Sequence, residues 1–306
     1  MEKNLIHIRS VGEYNELLGV ETQHPLVSVI DLSKASPMRH QRHTFGFYVV
    51  FLKDVECGNI IYGRQRYDYQ KGTVVCLAPG QVIGIEDNGE VYQPKGRALC
   101  FDSDLIRGTL LGRNIGDYTF FSYAVNEALH LSDSERRIFL GCLDNISSEL
   151  SHDIDRLSRR LIANNIELLL NYCMRFYERQ FITREQPNHD ILVKFERFLS
   201  EYMSLEKLRT EGIPTVAQCA SALCLSPNYF GDLVKRETGR TPIDYIHMAL
   251  IDRAKERLMM PGYTVSEVAY DLGFKYPQHF SRLFKKITGV TSTCFAETPI
   301  DLRVDN

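Results

Sequence analysis

Hydrogen-bonding side chains line one face of a short segment near the end of the chain. Two phenylalanines, Phe280 and Phe284, recur there at helical spacing and would face a core. The positions between them are polar or basic and would face outward: Gln278, Ser281, Arg282, Lys285 and Lys286. A guanidinium fits the O6 and N7 atoms of guanine, whereas lysine and serine suit phosphate oxygens. These residue types therefore predict contact with a nucleic acid.

A second element is needed to position this segment, and the sequence contains one just before it. Thr264 and Glu267 have the spacing of a capping box, which predicts a helix that begins after Thr264. Gly273 would end that helix because glycine tolerates the positive φ of a tight turn. A short helix, a glycine turn and a second helix form a helix-turn-helix, whose shape fits the major groove.

The same pattern occurs once before, about 50 residues upstream. Thr215 corresponds to Thr264, and Gln218 to Glu267. The correspondence continues as Ala220 with Ala269, Leu223 with Leu272, Leu225 with Phe274, Phe230 with Phe280 and Gly239 with Gly289. An internal repeat of a supersecondary unit indicates a built architecture. Between the copies, residues 242–258 are predicted to form one connecting helix.

Two runs within the second copy carry a family resemblance. They are Ala-Tyr-Asp-Leu-Gly-Phe at 269–274 and His-Phe-Ser-Arg-Leu-Phe-Lys-Lys-Ile-Thr-Gly at 279–289. The last third of the chain resembles the AraC/XylS family of transcription regulators. The resemblance implies two helix-turn-helices, at about 215–236 and 264–286, with recognition helices in successive major grooves of double-stranded DNA. For an activator, it also implies RNA polymerase as a partner.

The resemblance implies DNA-contacting residues on both recognition helices. On the first helix, Asn228 would pair with adenine and Asp232 would accept a hydrogen bond from cytosine. Asp232 departs from the family pattern, which often has a basic or amide residue there, and Cys224 replaces the usual glycine of the turn. The full set of candidates is Ser226, Asn228, Tyr229, Asp232, Lys235, Arg236, Gln278, His279, Ser281, Arg282, Lys285 and Lys286.

Composition limits the remaining possibilities. The chain has 306 residues, 44% of them hydrophobic, which is enough for two domains with cores of their own. Basic and acidic residues nearly balance over 215–306, so DNA binding would depend on local basic clusters. The eight cysteines include no Cys-x-x-Cys pair, which favours buried reduced thiols over a redox sensor. Because neither a signal peptide nor a membrane-spanning run is evident, we expect a cytoplasmic location and no membrane partner.

The first third of the chain reads as strands. After a short predicted helix over Val11–Leu18, apolar runs occur at 27–32, 45–52, 58–63, 73–77 and 97–101, separated by glycine and proline turns. This pattern predicts an all-β sandwich or barrel. Its order of strands and turns resembles the cupin-like sensor domain of many AraC-type regulators.

The candidate chemistry of this β domain is limited. A metal cupin needs a His-x-His pair, and His40 and His43 have the wrong spacing, so we predict no metal, no cofactor and no catalytic residue. The cluster Arg39, His40, Arg42 and His43 has two interpretations. It is a solvated loop before a strand, or it lines the mouth of a small barrel and holds an anionic small-molecule effector.

Two amphipathic helices are predicted to follow, from the cap at Ser132 to Leu150 and over residues 157–176. They would form a homodimer interface or only cover the sheet. The polar stretch 183–190 is predicted as a linker, between a sensor and dimerisation domain at 1–182 and a DNA-binding domain at 191–306. The predicted fold is α+β: a cupin-like β-barrel or sandwich, a helix pair, and an all-α domain with two helix-turn-helices.

Three functional hypotheses follow. The first is a DNA-binding transcription regulator whose β domain senses a ligand. The second is a cupin-type enzyme with an appended helical domain, which the lack of a converging metal or nucleophile set disfavours. The third is a regulator whose β domain serves only assembly and has no polar cluster inside it.

Overall fold

The computed structural model describes residues 5–39, 41–54, 60–62, 65–67, 72–84, 91–124, 127–183, 185–260 and 262–297. The chain divides into two compact units, Met1–Thr183 and Arg184–Asn306. The first unit combines strands with helices, and the described part of the second is helical.

The first unit contains short strands and a smaller number of helices. Its described strands are β1 (Leu5–Ile8), β2 (Val27–Asp31), β3 (Met38–Arg39), β4 (Arg42–Phe45), β5 (Tyr48–Lys53), β6 (Ile60–Tyr62), β7 (Gln65–Tyr67), β8 (Thr73–Leu77), β9 (Val82–Gly84), β10 (Val91–Tyr92), β11 (Gly96–Phe101) and β12 (Leu129–His130). Its described α-helices are α1 (Val11–Leu18), α2 (Ser103–Ile106), α3 (Leu110–Asn114), α4 (Asp133–Leu150) and α5 (Ser158–Thr183).

Among the described residues the strands form four separate sheets. The largest has five antiparallel strands in the order β12-β8-β5-β11-β2. A second sheet has the order β1-β4-β9, in which β1 pairs with β4 in parallel, and two strand pairs, β10-β3 and β6-β7, complete the set. The described strands therefore close no barrel, and the predicted β-sandwich or barrel is established only as a set of sheets.

The five-stranded sheet is buried on both faces. Val49 and Phe51 of β5 face a core that also contains Tyr14 of α1 and Phe45 of β4. Val50 points to the other face of β5 and is also fully buried, and in this unit α4 contacts β2 and α5 contacts β12. Burial on both faces explains why these strands read as continuous apolar runs.

The predicted strand over 45–52 is divided in the structure. β4 ends at Phe45 and β5 begins at Tyr48, and the two strands belong to different sheets. The backbone passes so close to β1 at Gly46 that an added Cβ would lie 2.6 Å from the carbonyl oxygen of Arg9. The break coincides with this contact to residues nearly 40 positions earlier.

The predicted helices of the first unit are confirmed. α1 covers Val11–Leu18, with Ser10 as its N-cap and Gly19 in the left-handed conformation at its end. α4 begins with the predicted capping box, in which Ser132 and Glu135 exchange hydrogen bonds.

The second unit contains eight described helices. They are α6 (Glu185–Tyr202), α7 (Leu205–Glu211), α8 (Val216–Ala222), α9 (Pro227–Thr238), α10 (Pro242–Leu258), α11 (Val265–Asp271), α12 (Pro277–Thr288) and α13 (Ser292–Glu297). The connecting helix predicted over 242–258 is α10. It buries Ile246, Leu250 and Ala254 between the two copies of the repeat.

The stretch predicted as a linker is largely helical. α6 begins at Glu185, within the predicted linker 183–190, and continues past the predicted domain start at residue 191. Pro187 lies in the first turn of this helix, where proline is tolerated because the first backbone N–H groups have no partner within the helix. The proline therefore lies near the beginning of a helix.

Candidate DNA interface

The second helix-turn-helix starts with a complete capping box. The backbone N–H of Thr264 donates to Oε2 of Glu267 at 2.8 Å, and the N–H of Glu267 donates to Oγ1 of Thr264 at 3.2 Å. The backbone N–H and the hydroxyl of Thr264 both donate to the Glu267 carboxylate, and these two hydrogen bonds lower its pKa. The local sequence thus fixes where α11 begins.

The turn between α11 and α12 has the predicted glycine. Gly273 adopts φ 81°, and its N–H donates to the carbonyl of Tyr270 at 3.0 Å. An added Cβ would lie 2.6 Å from the carbonyl oxygen of Leu208. Glycine is needed here both for its φ and for the close approach of α7.

The helix α12 exposes the predicted polar face. Phe280 and Phe284 are fully buried, while Gln278, Arg282 and Lys285 are exposed. These three positions are spaced i, i+4 and i+7, so they form one stripe along the helix. His279 and Lys286 are also exposed, beside this stripe. α12 therefore presents these polar and basic side chains on a common exposed surface.

The exposed surface of α12 differs from the prediction at Ser281 and at Tyr276. Ser281 was expected to face outward but is half-buried. Its hydroxyl accepts a hydrogen bond at 3.4 Å from the hydroxyl of Ser292 on α13. Tyr276, which the sequence analysis did not select, is 56% exposed at the N-cap, and its ring lies 5.6 Å from that of His279. Ser281 is thus engaged by the protein, whereas Tyr276 belongs to the exposed surface.

The first helix-turn-helix repeats the same local geometry. Thr215 and Gln218 form its capping box, with hydrogen bonds of 2.8 and 3.2 Å. Cys224 occupies the position of Gly273 and adopts φ 59°, so the turn keeps its shape although the usual glycine is missing. Cys224 therefore adopts the left-handed conformation of this turn, although that conformation is unfavourable for a residue with a side chain.

The face of α9 is less suited to DNA than that of α12. Asn228, Lys235 and Arg236 are exposed, Asp232 is partly exposed, and Ser226 caps the helix by accepting from the N–H of Tyr229. The expectation that Tyr229 is exposed is wrong. Its side chain is only 4% exposed, because it belongs to the apolar face that packs into the core.

Charge also distinguishes the two helices. α12 carries Arg282, Lys285 and Lys286 and no acidic residue. On α9, Lys235 and Arg236 are balanced by Asp232 and Glu237. Electrostatic attraction to phosphate is therefore concentrated on the second helix.

The structure does not bring the predicted effector-binding cluster together. Arg39 and Arg42 are exposed, whereas His43 is buried beside Phe45, and burial lowers the pKa of its imidazole. Adjacent residues of a strand point to opposite faces, so Arg42 and His43 cannot share one lining. His40 lies outside the described residues.

The described residues show neither a metal-binding cluster nor a membrane-spanning helix. They contain no group of three or more His, Cys, Asp or Glu side chains placed to hold a metal ion. No helix in that part of the chain is long and apolar enough to cross a membrane.

An ion-pair cluster that was not predicted from the sequence lies beside the second helix-turn-helix. Arg209 of α7 and Arg257 of α10 both contact Asp271 at the end of α11. One signal could have found it: Asp271 corresponds to Ala222 in the first copy, and a carboxylate that appears in only one copy of a repeat suggests a partner outside the repeat.

Comparison with known proteins agrees with this geometry. Residues 219–298 match a family model described as a helix-turn-helix domain, so the second unit carries a domain of this class. The chain is similar, at 37% identity over 75 residues, to the uncharacterized transcriptional regulatory protein YesN of Bacillus subtilis (strain 168), covering 24% of this chain and 20% of that protein. It is also similar, at 24% identity over 149 residues, to the probable transcriptional regulator LumQ of Photobacterium leiognathi, covering 48% of this chain and 55% of that protein.

A solved structure is also similar to part of the chain. It is the C-terminal domain of the two-component response regulator yesN from Fusobacterium nucleatum, with 22% identity and a TM-score of 0.31 over 35% of this chain and 99% of that one. The chain spans about half or less of the length of the curated relatives it matches. These relatives are named as transcription regulators.

Proposed function

We propose that this protein is a sequence-specific DNA-binding transcription regulator of the AraC type. The observation that carries the proposal is the exposed stripe of Gln278, Arg282 and Lys285 on α12, the second helix of a capped helix-turn-helix. In this proposal α12 is the main reader of base edges. α9, which has no net charge and buries Tyr229, is the weaker reader, with Asn228 as its base-reading residue.

The role of the first unit belongs to the same proposal. The resemblance to AraC-type regulators suggests that it binds a small-molecule effector and forms a homodimer through α4 and α5, and that an activator of this type would contact RNA polymerase. The alternative is that the first unit serves only assembly. Because Arg42 is exposed and His43 is buried on opposite faces of β4, these two residues cannot line one effector site. The predicted basic cluster therefore gives no support for effector binding.

Selection of binding sites from random duplex DNA, with the purified full-length protein, tests the proposal. We expect enrichment of two short half-sites whose centres lie about one helical turn apart, because the two recognition helices would enter successive major grooves. The half-site read by α12 should show the stronger base preference. A matched selection with Arg282→Ala should lose preference at one position of that half-site.

The outcomes of this selection are distinct. Enrichment of a single half-site would show that α9 reads no sequence, while the function would stand. Failure to enrich any sequence, with and without cell extract as a source of effectors, would contradict the proposed function. Each protomer would occupy one element of two half-sites. Enrichment of duplexes that carry two such elements would therefore support the homodimer.

A further inference from the structure

We propose that Asp271 is a positioning residue for DNA recognition. Its ion pairs with Arg209 and Arg257 hold the second helix-turn-helix against α7 and α10, and thereby set the separation of α9 and α12. The inference rests on the proposed DNA-binding function and adds to it a determinant of half-site spacing.

The contacts of Asp271 join three helices. Nε and Nη2 of Arg209 donate to Oδ1 at 2.9 and 2.6 Å, and Nη2 of Arg257 lies 3.6 Å from Oδ2. The Asp271 side chain is 12% exposed and that of Arg257 17%. A carboxylate so shielded from water needs partners of opposite charge, and both of its oxygens have one. Loss of these partners would therefore loosen the junction of α7, α10 and α11.

Arg257 is itself held in place. Its Nη1 donates to the hydroxyl of Tyr263 at 2.9 Å, and its guanidinium lies 4.7 Å from the centre of that ring. Tyr263 immediately precedes Thr264, the N-cap of α11. The cluster thus contacts both the beginning and the end of the first helix in the second helix-turn-helix.

The first copy of the repeat shows that the helix-turn-helix itself does not need this carboxylate. The residue corresponding to Asp271 is Ala222, which is exposed. Both copies nevertheless form the same capped helix and the same turn. Asp271 therefore serves contacts that only the second copy makes, and these contacts are with α7 and α10.

The turn after α11 gives independent evidence for the contact with α7. An added Cβ at Gly273 would lie 2.6 Å from the carbonyl oxygen of Leu208 and 3.1 Å from Cα of Gly212. The corresponding residue in the first copy, Cys224, has an exposed side chain. The end of α7 thus packs directly against the turn of the second copy, with Leu208 fully buried.

The position of α7 in the chain makes this contact a second connection between the two copies. Gly212, which ends α7, lies three residues before Thr215, the N-cap of the first copy. α7 is therefore tied by the backbone to one helix-turn-helix and by Arg209 to the other. With α10 alone, the copies could bend relative to each other about a single helix; with α7 added, their separation is fixed at two places.

A fixed separation has a measurable consequence on DNA. Moving one half-site by one base pair displaces it by about 3.4 Å along the duplex and rotates it by about 36°. A rigid protein meets such a site with one recognition helix out of register. A protein with a loosened junction can follow the displaced half-site and loses less affinity.

The experiment compares binding to duplexes that carry both half-sites selected by the wild-type protein. The duplexes hold the half-sites at the selected spacing or changed by one or two base pairs, and another duplex keeps only the half-site of α12. The proteins are wild type, Asp271→Asn and the control Asp252→Asn. Asp252 undergoes the same chemical change but pairs with Lys255 on the exposed side of α10, at 3.5 Å within one helix.

The measured quantity is the dissociation constant at shifted spacing divided by that at the selected spacing. We expect Asp271→Asn to lower this ratio by about tenfold relative to wild type. Affinity for the single α12 half-site should change less than about threefold, because α12 itself is intact. Asp252→Asn should behave as wild type in both measurements. A purely structural role of Asp271 would reduce single-site and paired-site affinity together and leave the ratio unchanged, which would overturn the inference.

Two further measurements keep the test decisive. If Asp271→Asn is unfolded by circular dichroism, the same ratio is measured with Arg209→Gln, whose side chain is 57% exposed, and an unchanged ratio there overturns the inference. If wild-type protein enriches no sequence at all, the proposed function fails on that result alone. If it enriches only a single half-site, the proposed function stands and the inference about spacing fails. If wild type selects paired half-sites and the variants keep its spacing preference, only the role of Asp271 fails.

Discussion

At the scale of single residues, the two turns of the repeat show how one backbone conformation is reached with different side chains. Gly273 and Cys224 both have positive φ, at 81° and 59°. Cys224 is exposed and has room for its side chain, whereas Gly273 has the backbone of α7 within contact distance. Sequence equivalence in the repeat therefore does not mean equal tolerance to substitution.

Replacing Gly273 by alanine should reduce the free energy of unfolding of the second unit by about 2–3 kcal/mol. The cost combines an unfavourable φ with a clash against the carbonyl oxygen of Leu208. The matched control is Gly289→Ala, because Gly289 has a similar φ of 78° and nothing within 4 Å of an added Cβ. For this control, urea denaturation should show a loss of about 1 kcal/mol in the free energy of unfolding. Equal losses in the two variants would show that α7 does not restrict the turn.

Arg282 and Lys285 lie on the same stripe of α12 but should have different effects on DNA binding. Arg282→Ala should cost about 1–3 kcal/mol at a selected site and relax preference at one base pair. Lys285→Ala should weaken binding to all sequences alike and lower the slope of log affinity against log salt by about one. Fluorescence anisotropy on selected and scrambled duplexes separates these effects. A uniform loss for Arg282→Ala would assign it to phosphate binding.

At the scale of elements, the carboxylate of Glu135 forms an ion pair that connects α4 with α5. Nε and Nη2 of Arg179 on α5 donate to Oε1 and Oε2 of Glu135 at 2.9 and 2.6 Å. Burial raises the pKa of Glu135, but the hydrogen bonds from Arg179 and Ser132 outweigh this effect, and the net pKa is lowered. Because the folded-state pKa lies below the unfolded value, the ionised carboxylate stabilises the fold above the unfolded pKa. That stabilisation is lost as the pH falls through the folded pKa.

Glu135→Gln should therefore destabilise the first unit by about 1 kcal/mol at pH 7, a figure reduced for the partly exposed arginine. The difference from wild type should shrink in acid, below an unfolded pKa of about 4.3. Urea denaturation at pH 7, 5 and 3 measures both effects. Glu178→Gln, at an exposed position of α5, is the control and should change neither. A pH-independent difference for Glu135→Gln would show that packing, not charge, is responsible.

At the scale of the whole molecule, the two units have separate cores. Phe101 is fully buried in the first unit and stacks on Tyr48 with ring centres 5.0 Å apart. Phe284 is fully buried in the second unit and packs against Phe280 and Phe295. Separate cores predict that each unit unfolds in its own transition.

Calorimetry of the full-length protein should therefore show two transitions. Phe284→Ala should lower one of them and Phe101→Ala the other, each at a cost of about 3–5 kcal/mol to its own unit. The two variants serve as controls for each other because they delete the same side chain from different cores. If both variants shift a single common transition, the units do not unfold independently.

Local sequence signals were sufficient to predict the architecture of the second unit. The capping boxes at Thr215 and Thr264, the turn glycine at Gly273 and the stripe of apolar residues along α10 each act within a few residues of the chain. Hydrogen bonds and side-chain spacing over that distance depend little on the remainder of the protein. The repeat, the connecting helix and the exposed face of α12 could therefore be predicted from sequence alone.

Contacts between distant residues were decided only by the tertiary structure. The burial of Tyr229 and the close approach at Gly46 depend on which helix or strand packs alongside. The partners of Asp271 lie 62 positions earlier for Arg209 and on a different helix for Arg257. No periodicity or cap encodes such pairs, because their free energy arises only when separate elements are brought together and shielded from water. The sequence thus determined the two helix-turn-helices, and the packing of α7 and α10 determined how they are held relative to each other.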